Sequence, residues 1–254
     1  GAFDANSHSG NTFPGATVPY GMVQLSPDTR VNYMPVAGYN YSDTAIFGFS
    51  HTHLNGTGVD DLYDILVMPG TGDPVQVVNN PDTLGVFWSN YSHKQEKAKP
   101  GYYQVYLPNY KINAELTATE HVGFHKYTFP KSNQAHILID LNHPSGQARA
   151  AWYPCKVIAH VKVVNDSTIE GYRISTGWGV GFRKVYFRAE FSKPFTGSVL
   201  MNATGRYEDL SVINGSIVKA LFNFQTNDNE PILMKVGLSA TSNENAKLNL
   251  ETEL

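Results

Sequence analysis

The sequence has a single cysteine, Cys155. One thiol excludes an internal disulfide and a cysteine metal cluster, and behind Pro154 at the head of a β-patterned run it reads as an ordinary packed residue. Charge is also scarce: 16% of residues are charged and the formal net charge is -3. With no basic stripe to neutralise phosphates, nucleic acid is a poor partner, and an anionic membrane surface is no better. Long apolar runs are missing too. None approaches the ~20 residues of a membrane-spanning helix, and no charged segment followed by an apolar stretch opens the chain, so no membrane insertion is expected. Internal repeats and low-complexity segments are absent, and the 3.6-residue period of a helix appears only in the closing stretch NENAKLNLETEL, where Asn243 reads as the cap.

What remains is strand. In KVYFRAEFS, Val185, Phe187, Ala189 and Phe191 alternate with Lys184, Tyr186, Arg188 and Glu190, the two-residue period of a half-buried strand. KINAELTATE places Ile112, Ala114, Leu116 and Ala118 on one face, and CKVIAHVKVV does the same with Val157, Ala159, Val161 and Val163 before a turn at NDST. AHILIDL, SIVKALFNF and PILMKVGLSA are further strands. At 254 residues the chain can bury a sizeable core as one all-β unit, and strands joined by short turns from end to end predict a large antiparallel β-sandwich. Aromatics make up 12% of the chain, with 15 tyrosines, which suits neutral polar ligands such as sugars.

Catalytic patterns are thin. Glycoside hydrolysis needs two carboxylates facing one another across the bond, yet Glu115, Glu120, Glu170, Glu190 and Glu208 are scattered along strands. Ser26 and Ser50 have histidines nearby without a nucleophile elbow. His51 and His53 stand one apart on an expected strand, aimed at one face. With a carboxylate they could bind a transition metal; more commonly such a pair bonds backbone groups or lines a polar pocket. Asp60 and Asp61 read as turn residues. Arg173, Arg183 and Arg188 could steady hydroxyl or carboxylate groups, though such arginines are more often solvated. Trp88, Trp152 and Trp178 each offer an indole that could stack on a sugar or fill a core. The opening loop HSGNTFPGATVPYGMVQLSPDT combines glycines that turn the backbone with Pro14 and Pro19, which stiffen it.

Together, GNTFPGATVPYGMVQLSPDT and GYNYSDTAIFGFSHTHLNGTGVDDLYDILVMP resemble the N-terminal region of glycoside hydrolase family 92 α-mannosidases. The ending ATSNENAKLNLETEL resembles the point where that family's first domain passes into linker helices. The resemblance implies an all-β, galactose-mutarotase-like supersandwich over residues 1–242, with 243–254 beginning a linker helix to a separate (α/α)6 domain. It implies calcium-dependent, inverting exo-α-mannosidases, mostly bacterial, that act on N-glycans or mannan in the periplasm or at the cell surface. The general acid, the base and most ligands of Ca2+ would lie on the helical domain, leaving this chain with no catalytic or metal residue and inactive alone. Its partners would be mannose-containing glycans and that C-terminal helical domain. On this chain the resemblance implies that Asn11, Thr12 and Phe13 reach the terminal mannose and Asp28 holds a hydroxyl. His51, His53 and Asn55 would line or brace the same wall, and Trp88 would contact the next sugar. Leu54-Asn55-Gly56-Thr57 departs from the family's more usual serine after the leucine, which leaves the role of Asn55 open. The competing reading is a free-standing lectin-like module with an aromatic platform on one face.

Overall fold

Alternation of apolar and polar residues builds two sheets whose inner faces share one core. The computed structural model describes residues 10–31, 34–56, 58, 60–73, 87–143, 157–177 and 180–254; Cys155, Trp152, Trp178 and Thr57 lie outside the described residues. Among the described residues, an eight-stranded sheet runs in the spatial order Ala16–Thr17, Gln24–Asp28, Gly48–Ser50, Leu66–Thr71, Ser132–Asp140, Lys219–Thr226, Gly197–Asn202, Gly205–Glu208. A nine-stranded sheet runs Val212–Gly215, Val157–Asn165, Thr168–Gly177, Val180–Phe191, Glu230–Ser239, Val122–Phe129, Ile112–Ala118, Tyr102–Leu107, Glu96–Lys99. Neighbours in both sheets pair antiparallel, so the sandwich read from the sequence is the fold.

The expected inward faces are the buried ones. Val185, Phe187, Ala189 and Phe191 are buried, as are Ile112, Ala114, Leu116 and Ala118. Val157, Ala159 and Val161 are buried as well, while Val163 is partly buried against the core. Aromatic rings stitch the two sheets together: Phe49 of one lies 6.4 Å from Tyr103 and 6.2 Å from Tyr127 of the other, and Phe191 lies 5.5 Å from Phe222. Each such ring removes a large apolar area from water, roughly 1.5–3 kcal/mol apiece.

The helix spans Asn243–Glu253. Its cap is Ser242 and not Asn243: the Ser242 hydroxyl accepts from Asn245 N at 3.0 Å, as a cap one residue earlier requires. Ala246 and Leu250 are buried against Gly237, where any Cβ would collide with the Ala246 carbonyl. At the far end Glu253 accepts from His121 N at 2.9 Å and pairs with its Nδ1 at 2.7 Å.

Candidate functional site

The opening loop forms one side of a cavity. Gly10, Asn11, Thr12, Phe13 and Pro14 face Tyr39, Asn40 and Tyr41 across about 590 Å³. Gly10 adopts φ +80° and packs so tightly on Tyr39 that a side chain there would strike its carbonyl, a conformation and an approach that only glycine supports. The Gly10 carbonyl accepts from Ala37 N at 2.8 Å, and the Asn11 carbonyl accepts from Gly56 N at 2.7 Å. Asn11 Oδ1 accepts from Gly58 N at 3.1 Å. Asn11 therefore ties the opening loop to the loop carrying Asn55, which is itself exposed.

Behind this wall lies a buried polar assembly. Phe13 packs on the His53 ring at 5.3 Å. His53 Nδ1 donates to the Gln24 carbonyl at 2.7 Å, and its Nε2 lies 2.8 Å from Asp28 Oδ1 and 3.0 Å from Ser50 Oγ. The other oxygen of Asp28 lies 3.1 Å from His143 Nε2. Burial by itself would raise the carboxyl of Asp28, but the two histidines outweigh it and bring its pKa down to about 2. Tyr63 stands edge-on to both rings and donates its hydroxyl to the Pro35 carbonyl at 2.8 Å. Gly38, at φ +80°, covers Asp28 and His53 where a Cβ would strike both.

A second layer supports the first. Arg173 is fully buried; it pairs with Asp64, donates from Nε to the Leu141 carbonyl at 2.9 Å, and donates from Nη2 to the His143 carbonyl at 2.9 Å. Arg183 reaches Asp61 at 3.4 Å and Asp64 at 3.3 Å. Burial would push the Asp64 carboxyl up, yet these guanidinium groups hold it below the ordinary carboxylate range. Thr52 donates its hydroxyl to Asp64 Oδ2 at 2.8 Å. Leu62, Tyr63 and Ile65 all adopt positive φ, of 81°, 56° and 57°, costly above all for a β-branched residue and tolerated where neighbours over-determine the backbone.

The expected residues therefore separate into groups. Asn11, Thr12 and Phe13 line the cavity together. Asp28 and His53 sit enclosed behind it with no exposed side-chain surface. His51 and His53 do not share a face, because the strand ends at Ser50 and the chain bends. His51 turns between the sheets, where Nδ1 donates to the Ile65 carbonyl at 2.7 Å and Nε2 accepts from His125 at 3.0 Å. Trp88 is 43% exposed and lies outside the cavity lining, beside the short strand Ser89–Asn90 that pairs with Ala45–Ile46. Arg173 is the main departure from the sequence reading. It stands in the inward phase of its strand with Ile169, and that parity was the signal available. Tyr39, Asn40 and Tyr41 lay inside a motif singled out as a whole, whereas His143 had no local pattern to mark it.

A family model described as the glycosyl hydrolase family 92 N-terminal domain matches residues 3–239. The chain is similar to the solved family GH92 α-mannosidase BT3965 from Bacteroides thetaiotaomicron in complex with mannoimidazole. Identity is 36% and the TM-score 0.84, over 97% of this chain and 32% of that one. It is also similar to the GH92 family glycosyl hydrolase ccman5, at 27% identity and a TM-score of 0.79, covering 98% of this chain and 33% of that chain. A relative from Arthroderma benhamiae, described as an uncharacterized secreted glycosidase, is 28% identical over 98% of this chain and 34% of its own length. The chain thus spans about a third of the proteins it matches.

Proposed function

The chain belongs to glycosyl hydrolase family 92 as its N-terminal domain, and on that premise we propose that it supplies one wall of the active site of an inverting exo-α-mannosidase. The enzyme would remove terminal α-linked mannose from N-glycans or mannan. The cavity of about 590 Å³, lined by amide, hydroxyl and aromatic groups, carries this reading. It offers neutral hydrogen bonding and ring faces, which is what a sugar needs. Asn11, Thr12 and Phe13 contact the mannose; Asp28 and His53 hold that wall from behind, and His51 braces the strand end beneath it. Asn55 extends the rim, and Trp88 offers its exposed ring to a neighbouring sugar.

In inverting hydrolysis a carboxylic acid protonates the leaving oxygen while a carboxylate activates water on the opposite face. Among the described residues, carboxylates near this cavity are committed elsewhere: Asp28 to two histidines, Asp43 to Arg30 at 2.7 Å, Glu96 to His93 at 2.6 Å. In this reading the chain orients sugar and excludes water, while acid and base come from the polypeptide that the longer relatives carry beyond this domain. Among the described residues no group of three or more His, Cys, Asp or Glu side chains is placed to hold a metal ion, and in this reading Ca2+ is held mostly by the helical domain. The secreted relative supports a periplasmic or extracellular setting, and among the described residues no helix is long and apolar enough to cross a membrane.

The test is Asn11→Ala with Phe13→Ala in the full-length enzyme. Turnover is expected to fall at least about tenfold with an unchanged circular dichroism spectrum. Unchanged turnover would reduce the loop to a structural turn.

A further inference from the structure

We propose that the outer face of Tyr41 is a stacking platform for the sugar ring that follows the cleaved mannose, held in place by His93 and Glu96. The proposal rests on the active-site reading above and adds a binding element to it. Tyr41 lines the cavity yet is 65% exposed. One face of its ring is covered: His93 lies parallel to it, with centroids 3.9 Å apart and planes 4° from parallel. Among the described residues no other ring packs on the opposite face, which is left for a ligand.

His93 cannot swing away. Its Nδ1 lies 2.6 Å from Glu96 Oε2 and its Nε2 lies 2.8 Å from the Tyr41 carbonyl, so Tyr41 is gripped by ring and backbone together. Tyr91 meets the His93 ring edge-on at 5.3 Å, and Ser92 caps the short turn His93–Gln95. Glu96 also accepts from Tyr39 at 3.1 Å and from the core residue Tyr103 at 2.7 Å. The platform is thereby tied to the cavity wall on one side and to the sandwich core on the other.

The segment leading to Tyr41 is fixed independently. Asn40 N donates to Thr29 Oγ1 at 3.0 Å, and Asn40 Oδ1 accepts from Ser42 N at 3.0 Å and from Ser42 Oγ at 2.9 Å. Asp43 takes Arg30 by Nε at 2.8 Å and by Nη2 at 2.7 Å. A single exposed aromatic on a mobile loop needs no explanation. An exposed ring whose partner, carbonyl and flanking side chains are all immobilised is different, because it has already lost the freedom that binding would otherwise cost. A pyranose offers a matching surface in its flat C–H face, with hydroxyls at the edge. With the opening loop on the mannose that is released, Tyr41, across the cavity from it, takes the ring that leaves.

The experiment uses the full-length enzyme and two substrates. One is an α-linked mannobiose that the enzyme cleaves, whose leaving group is a sugar ring; the other is α-mannosyl fluoride, whose leaving group has no ring. The readout is the ratio of kcat/KM for the disaccharide to that for the fluoride. Tyr41→Ala is expected to lower this ratio about fivefold, through KM, while Tyr41→Phe keeps it, since stacking uses the ring and not the hydroxyl. His93→Ala, which frees the platform, lowers it by a smaller factor. An unchanged ratio in Y41A overturns the proposal, and so does an equal loss on both substrates, which would mark Tyr41 as structural. Failure of the active-site reading looks different: Asn11→Ala with Phe13→Ala would then leave both substrates turning over normally, whatever Tyr41 does.

Discussion

Buried histidines give single residues of this domain a pH signature. His51 and His125 sit between the sheets in a chain of bonds that closes on Tyr127, whose hydroxyl lies 2.7 Å from His125 Nδ1. His136 lies over Gly70 and packs on Phe87 at 4.9 Å. Burial lowers the pKa of His51 to about 4 and that of His136 to about 4, and pushes His125 down too. A folded value below the unfolded one means the unfolded chain takes up protons first on acidification. Stability is therefore full above about pH 6.5 and is lost as pH falls towards 4, by roughly 1.4 kcal/mol per pH unit for each such histidine. His136→Leu removes one of these groups, and the urea midpoint measured between pH 6.5 and 4.5 is expected to fall less steeply than in the parent. Asp28 acts in a separate window: with a pKa of about 2, its contribution holds above its unfolded value and is lost only below about pH 4.

At the scale of elements, what could be read from the sequence depended on what carried the signal. Strands with one face in the core repeat every two residues, so Val185 to Phe191 and Ile112 to Ala118 were legible to the residue. Arg173 obeyed the same parity but was hidden by its chemistry, because burial of an arginine depends on Asp64 and two carbonyls from distant segments. The cavity was half legible. Asn11, Thr12 and Phe13 came from one motif, whereas their joining to Tyr39 and Tyr41 depends on tertiary packing that no local pattern encodes. The bend after Ser50, which parts His51 from His53, lies against the segment of positive φ at Leu62, Tyr63 and Ile65, a tertiary pairing that no local pattern encodes. The helix docks through a missing side chain, and Gly237→Val should therefore lift it from the sheet. Hydrogen exchange at residues 243–253 is expected to accelerate by about tenfold or more, while amides of Ile112–Ala118 keep their protection.

For the whole molecule, the reading as one wall of a two-part site has a direct consequence. The isolated chain, supplied with an aryl α-mannoside and calcium, should show no turnover above buffer, since the acid and base of an inverting mechanism lie elsewhere in this reading. Measurable hydrolysis by the purified chain would place catalytic groups within it and overturn that division. The lectin-like alternative predicts instead that a mannose oligosaccharide binds the isolated chain in calorimetry as tightly as it binds the full-length enzyme.

The order of strands also governs when this domain can exist at all. Val122 pairs with Gly237, Ser132 with Thr226, and Phe187 with Leu238, so the middle of each sheet waits for the last strands of this domain. During synthesis the early strands must remain open-edged until residues 219–239 have emerged, and pairings of such long reach form slowly. A nascent chain stopped short of Lys219 would hold neither sheet together, and a protease added at that stage would find strands that are inaccessible once Ser239 is in place.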